Sequence, residues 1–462
     1  MSKRRRYYFV TEKSEYAGRP SASQLHPLHH PIILTSILQL LFNAADLVVV
    51  GRFCGSVSVA AVGSTGSLTN LMVNFFIGLS IGAGVTAAHG LGSREETVVQ
   101  NTVHTALPLA LVSGVILTVV GITFSETFLK MMDTPDNVLP LSSVYMRIYF
   151  GGITFTMVYN FCAAILRAAG DTRSPLIYLT FAGVINVILN IFFVTVMNLN
   201  VAGVALATTI SQGISALLVT IALIRRTDAC HLDLKKLRFH PAQMSKIIRI
   251  GLPAGIQSSL ISISNVVIQS SVNSFGDVFM SGNAASANIE GFLYAAVNAF
   301  NQTAVNFIGQ NAGAHKYRRV RQTLWICLGC GAAVGLILGV SARVFGHQLL
   351  SIYITDSPQA IAYGLNRLSM IALPYFLCAF MDISTGALRG LGASVAPMLI
   401  SILGVCGLRV LWVSTIFQIP RFHTPECLFF SYTVSWIVTF IFQLAAFLIV
   451  SRKMFKESTP AA

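Results

Sequence analysis

Runs of roughly 20 apolar residues, the length that crosses a bilayer core as one helix, recur along almost the whole chain. Few architectures accept this, because in hydrocarbon only helices and closed barrels satisfy their own backbones. Twelve runs can be read, at about 31–50, 59–88, 102–124, 140–162, 175–197, 203–224, 247–272, 285–309, 323–345, 361–386, 397–418 and 428–450. The eighth is the least apolar, since it holds Asn288, Glu290, Asn298, Asn301, Gln302 and Asn306. Only 10% of the 462 residues are charged, against about a quarter in soluble domains. The expected fold is an all-α polytopic membrane protein of twelve transmembrane helices.

Basic residues give the orientation. Of 31 Lys and Arg, 24 lie in the N-terminal stretch, the loops after even-numbered spans and the C-terminal stretch, whereas 6 (Arg52, Lys130, Arg147, Arg343, Arg367 and Arg421) lie on the other side. The remaining one, Arg409, is inside a span. By the positive-inside rule both termini are cytoplasmic, in a multi-pass protein of the cell membrane. The net charge of +14 therefore reads as topology, and no nucleic-acid partner is expected. The opening SKRRRYYFV faintly resembles a twin-arginine signal, but TEKSEY follows where an apolar core should, so no cleaved signal is expected. Cys327 and Cys330 form a CxxC inside an apolar run with no second ligand pair, which points to packing. The organisation is a tail at 1–30, a six-helix bundle at 31–224, a basic linker at 225–246, a second bundle at 247–450 and a tail at 451–462.

The halves resemble each other at an offset near 222. LRAAGDTRSP (166–175) aligns with LRGLGASVAP (388–397), Pro31 with Pro253, and Asn43 with Asn265. At an offset of 221, HGLGSRE (89–95) aligns with QNAGAHK (310–316). Six spans per half return the chain to its starting side, so the two bundles form a parallel internal repeat about an axis along the membrane normal.

Polar residues mark the interior. Ser36, Gln39, Asn43 and Asp46 share one face of the first span. Helix–helix hydrogen bonding accounts for Ser36 and Asn43. It does not account for Asp46, since an ionised acid at this depth costs about 2.5–3.5 kcal/mol even on insertion scales unless it is paired, solvated or protonated. Asp46 lies 15 residues beyond Pro31, roughly 22 Å at helical rise. Asn190 stands equally far beyond Pro175, Asn186 lies one turn below it, and Thr208 is at similar depth, so all three can meet Asp46. Asn160 is deeper and fits less well. Together they read as a cation-coupling site: Asp46, Asn186, Asn190 and Thr208.

The second half lacks that acid, because Asp46 aligns with Ile268. Span seven keeps a neutral stripe of Ser258, Ser262, Asn265 and Gln269. Glu290, Tyr294 and Asn298 share a face of span eight that suggests a wet cavity wall. Asp382 lies in span ten, and Arg409, the one deeply placed cation, falls between Glu290 and Asp382 in depth and is read as half of a structural ion pair with one of the two. The candidate substrate cavity comprises Gln39, Asn43, Asn160, Asn265, Gln269, Glu290, Tyr294, Asn298, Asp382 and Arg409.

These motifs, PIILTSILQLLFNAADLVVVGR, GVTAAHGLGSRE with its partner IGQNAGAHK, LRAAGDTRSP followed by NVILN, and GVALATTIS, together resemble the MATE family of multidrug and toxic compound extrusion transporters over nearly the whole chain. The resemblance implies two six-helix bundles in a V around a central cavity. It also implies exchange of H⁺ or Na⁺ for organic, often cationic, compounds. Asp46 matches the family's first-helix acid, Pro31 its proline, Asn186 its fifth-helix asparagine and Thr208 its sixth-helix threonine. Asn190 falls where many members carry Asp, leaving one fixed charge fewer to hold Na⁺. Asp382 does not fall at the family's tenth-helix acid position.

The function expected is secondary active antiport by alternating access, with no catalytic residue, no cofactor beyond the coupling ion H⁺ or Na⁺, and no metal site other than a Na⁺ position at Asp46. The partners expected are small organic substrates and membrane lipid, the protein acting as a monomer. A rival is a lipid-linked oligosaccharide flippase of the related export superfamily. Such a protein needs a cavity rich in cations, and here only Arg409 is read as deeply placed. An enzyme is disfavoured because no His lies at mid-span and DDxxD, HExxH and GxSxG are absent. A channel lacks a filter-like element.

Overall fold

The computed structural model describes residues 34, 35, 38, 42, 46, 48–50, 52–54, 56–131, 134, 136–354 and 357–458. Pro31, Ser36, Gln39 and Asn43 lie outside the described residues. Those described in the first span, including Phe42, Asp46 and Val48, are helical. Span two is Ser56–Ser93, three Glu96–Met131, six Asn200–Ile224, seven Pro241–Asn273, eight Asp277–Gly313, nine Tyr317–Val344 and twelve Pro425–Ser458. Span five, Arg173–Ile191, continues into a wide π turn at Phe192–Val196.

Three spans that read as continuous are interrupted. Span four is Leu139–Gly151 and Ile153–Ala168 bent by 45°, and span ten is Pro358–Ile371 and Tyr375–Gly390 bent by 51°. In span four the joint is Gly152, pressed so closely by Thr209 of span six that a Cβ would overlap that side chain. In span ten Pro374 lacks the N–H that would continue the helix and clashes with the preceding turn. Span eleven passes from Val395–Ser401 to Leu408–Ser414 through a π turn at Ile402–Gly407. Span seven starts at Pro241, within the segment read as linker, and a short helix, Gly346–Tyr353, comes after span nine. Hydropathy marks only the part of a helix that sits in hydrocarbon, so polar first turns fall outside it.

Among the described residues, eight helices are long and apolar enough to cross a membrane, ten when each bent pair counts as one. Span eight is not one of them, in keeping with its polar face. Each half has its own core. Phe150, Met157, Phe161, Leu117 and Leu129 pack in the first, and Phe300, Tyr375, Phe429 and Phe447 in the second. The fold is therefore two six-helix bundles related by a parallel repeat.

The bundles meet along spans two and seven, where Gly78 and Gly82 face Gly251 and Gly255. A Cβ on any of the four would overlap backbone of the opposite helix. Small residues that let backbones touch are the usual means of tight packing in membranes, where lipid removes the hydrophobic drive between helices.

The repeat is visible in atomic detail on the face that carries the linker. Spans four and ten both stop at a left-handed glycine, Gly170 at φ 83° and Gly392 at φ 82°. Each closes with the same paired bonds: Asp171 N–H to Leu166 and Gly170 N–H to Arg167, then Ala393 N–H to Leu388 and Gly392 N–H to Arg389. These are the two bonds of a Schellman ending, which requires a residue without a Cβ penalty at that position. The repeat partners His89 and Gln310 then cross between bundles. His89 Nε2 donates to the Gly390 carbonyl at 2.7 Å, and Gln310 Nε2 donates to the Ala168 carbonyl at 2.5 Å. The linker is tied to the same face, since Asp233 N–H donates to His104 Nε2 and His240 N–H to Thr105 Oγ1, both at 3.1 Å.

Candidate functional site

Two polar sites occupy the interior, and different residues build each. The first surrounds Asp46, which is 7% exposed. Asn190 Nδ2 donates to Asp46 Oδ1 at 2.5 Å and Thr208 Oγ1 to Asp46 Oδ2 at 3.2 Å. Asn190 Nδ2 also reaches Asn186 Oδ1 at 3.3 Å, and Asn186 Nδ2 reaches Thr208 Oγ1 at 3.3 Å. Spans one, five and six thus close a ring of hydrogen bonds around one carboxylate. No Lys or Arg among the described residues lies within 4.0 Å of it. Asn190 is fully buried and its Oδ1 has no hydrogen-bond partner among the described residues. The side-chain oxygens gathered here are those a proton or Na⁺ would use; a carboxylate accepts a proton, and hard cations prefer oxygen ligands.

The second site is a cavity of about 970 Å³ between the bundles. Asn160, Asn265, Gln269, Glu290, Tyr294, Asn298, Asp382 and Arg409 all line it, while Gln39 and Asn43 lie outside the described residues. Asn160 donates to the Thr156 carbonyl and takes no part in the Asp46 ring. The cavity lining includes Thr35 and Phe42 of the first span but none of Asp46, Asn186, Asn190 or Thr208. Phe42 packs so closely on Gly183 of span five that a Cβ there would overlap its ring. Span one therefore touches the cavity on one turn and holds the acid on the next.

The charges of the cavity differ from the sequence reading. Glu290 pairs with Arg367 Nη2, and Arg367 Nη1 donates to Asn283 Oδ1 at 2.5 Å. The pattern of basic residues puts Arg367 on the outer side, yet it is buried in the first segment of span ten. Arg409 is accordingly not the partner of Glu290. Its Nε donates to Ser435 Oγ at 3.0 Å, and its guanidinium lies 4.0 Å from the centre of the Tyr432 ring. Nor is Arg409 the single deeply placed cation, since Arg167 and Arg367 line the cavity too and Arg389 is buried. Asp382 leaves one carboxyl oxygen buried without a hydrogen bond among the described residues, and its backbone carbonyl accepts from Asn301 at 2.9 Å.

Residues lining the cavity that the sequence did not single out include Arg167, Arg367, Tyr375, Tyr432 and Trp436. The aromatic ones are ordinary in an apolar run. For Arg367 a signal existed: it stands one residue from Leu368 and four from Ile371 within a helical apolar pattern, which argues against a loop.

With this geometry in place, comparison with known proteins decides the family. The MatE family model matches residues 31–192 and matches again at 253–413. The chain belongs to the MatE family. Its repeat is the family's repeat, and MatE members are transporters of small compounds, not enzymes. The chain is 29% identical over 388 residues to the probable multidrug resistance protein YoeA of Bacillus subtilis, covering 82% of this chain and 83% of that one. It is 26% identical over 386 residues to an FAD transporter of Shewanella oneidensis, covering 82% and 84%. An outward-facing multidrug resistance MATE transporter of the MOP superfamily superposes with a TM-score of 0.88 at 18% identity, over 96% of this chain and 98% of that one, which shows the shared twelve-helix fold.

Proposed function

We propose that this MatE protein is a secondary active antiporter of the cell membrane that exports organic compounds in exchange for H⁺ or Na⁺. The observation that carries this reading is a buried carboxylate, Asp46, held by Asn190 and Thr208 with no basic partner among the described residues. A charge without a countercharge in a membrane helix is tolerated where it is discharged and restored during work. The coupling site is separate from the cavity, so cation and substrate do not compete for the same atoms. They communicate through span one, which carries Asp46 and also lines the cavity at Thr35 and Phe42. Coupling requires that each ligand favour a different conformation of that helix.

The two amide orientations of Asn190 suit both charge states. With Nδ2 toward Asp46 it donates to a carboxylate; with Oδ1 turned there it accepts from a carboxylic acid. Both termini and the basic linker face the cytoplasm in this reading, and bundles 31–224 and 247–450 rock about the glycine contact of spans two and seven. The relatives range from multidrug resistance to FAD transport and so leave the substrate class open.

The test is Asp46→Asn, which keeps size and hydrogen bonding but cannot titrate. Efflux from sealed vesicles driven by a pH or Na⁺ gradient should be abolished while the purified protein stays monodisperse, since removing an unpaired buried charge rarely destabilises. Wild-type efflux from this variant would refute the coupling role of Asp46. The gradient that drives the wild type, ΔpH or Na⁺, identifies the ion.

A further inference from the structure

The second-bundle side of the cavity holds a cation with spare hydrogen-bonding capacity. Arg409 is 3% exposed and lines the cavity. Its guanidinium carries five N–H donors; one is used by Ser435, and Nη1 and Nη2 have no partner among the described residues. Of the two carboxylates nearest it in depth, Glu290 is taken by Arg367, and Asp382 forms no ion pair with it among the described residues. Three arginines and two acids line the cavity, which leaves it a net positive charge. The π turn at Ile402–Gly407 lies immediately before Arg409. Such a turn adds a residue to the helix repeat and re-aims the side chains beyond it, and it is frequent at functional positions. Beside the guanidinium stands an aromatic wall. Tyr432 lies under it, Trp436 meets Tyr432 edge-on at 5.9 Å, and Tyr375 meets Trp436 at 5.6 Å.

We propose that Arg409 anchors the anionic group, carboxylate or phosphate, of an aromatic compound in this cavity, with the ring against Tyr375 and Trp436. This rests on the reading that the cavity holds the exported compound, and it narrows that compound to a class. Two unused N–H groups of one guanidinium match the two oxygens of such an anion in a fork. A cation would instead meet Arg409 with repulsion and find Glu290 already paired, which leaves it only Asp382, whose charge Arg389 already attracts. The coupling ion, bound at Asp46, does not draw on this charge.

The test is equilibrium binding to the detergent-purified full chain, measured by calorimetry, with two probes of one shape: 1-naphthyl phosphate and protonated 1-naphthylmethylamine. The wild type should bind the phosphate more tightly than the amine. Arg409→Gln should weaken the phosphate at least tenfold and leave the amine unchanged or tighter. Arg409→Lys, which keeps the charge and loses the fork, should fall between. A wild type that prefers the amine overturns the proposal, and does so whether or not Arg409→Gln folds; so does an Arg409→Gln protein, monodisperse on size exclusion, that keeps phosphate affinity within twofold. Addition of dioleoyl phosphatidate to the micelles separates the two sources of one chemistry: competition identifies a lipid headgroup as occupant, and its absence a water-soluble anion. No gradient enters these measurements, so loss of the antiport reading through Asp46→Asn and loss of the anion site are distinct results.

Discussion

Asp46 is surrounded by neutral donors from two other spans, and in the proposed antiport each would contribute separately to binding of the coupling ion. Thr208 supplies one bond, to Oδ2 at 3.2 Å. Thr208→Val removes that hydroxyl at nearly constant volume. A hydrogen bond to a charged group contributes about 1.5–3 kcal/mol, so the H⁺ or Na⁺ concentration giving half-maximal efflux should move by roughly tenfold or more while the maximal rate persists. An unchanged concentration dependence in vesicle efflux would remove Thr208 from the site. The meeting of Asp46 with Asn190 and Thr208 was legible because helical rise converts sequence distance into depth, and equal depth on facing helices is close to contact. The placement of Arg367 was missed although Leu368 and Ile371 continue a helical apolar pattern around it, because a count of basic residues by side assigns a charge near a span end to the loop. Its pairing with Glu290 depends on how spans eight and ten pack, which no local pattern contains.

Whole helices carry the next level of constraint. Spans two and seven approach until glycine backbones touch, and the neighbour of each missing Cβ is backbone, which cannot turn aside. In Gly82→Ala the new methyl would overlap the Ile247 carbonyl of span seven. The helices must separate along their length, so thermal stability in detergent should fall and transport should drop to a small fraction of wild type. Gly66→Ala, in the same helix but with nothing within 4 Å of the new atom, should leave both unchanged. Equal effects of the two would show that helix propensity, not interhelical approach, governs span two. The element count was readable from apolar runs, because bilayer thickness fixes their length. The breaks were less so. Pro374 announces one, but the bend at Gly152 depends on Thr209 from another helix, and the π turn before Arg409 has Gly404 lying against Thr439 of span twelve. Both are consequences of packing that no local pattern contains.

At the scale of the molecule, the basic loops and the repeat specify one arrangement. With 24 of the 31 basic residues assigned to one face by the sequence, a reporter fused after Ala462 should read as cytoplasmic and one placed in the 126–138 loop as external; an external C-terminus would overturn the orientation. The repeat was legible from LRAAGD and LRGLGA, whose two glycines turn out to share one left-handed ending, whereas the halves differ at single positions such as Asp46 against Ile268.

The paired bonds of His89 and Gln310 bear on a hazard that any gradient-driven machine faces. If both ends of the central passage are open at once, even briefly, ions run down their gradient and perform no work. The two bonds are copies of each other across the repeat, each anchored on a backbone carbonyl at the end of a helix in the opposite bundle. Both bonds cross between the bundles on the same face, so a motion that separates the bundles there must break both. His89→Ala combined with Gln310→Ala should therefore make sealed vesicles lose an imposed pH or Na⁺ gradient faster in the absence of any exported compound, while either single variant loses it less. A double variant as tight as wild type would place the barrier elsewhere. If the double variant leaks as expected, fuel economy in the proposed antiporter would depend on two side chains that lie outside both the Asp46 ring and the cavity lining.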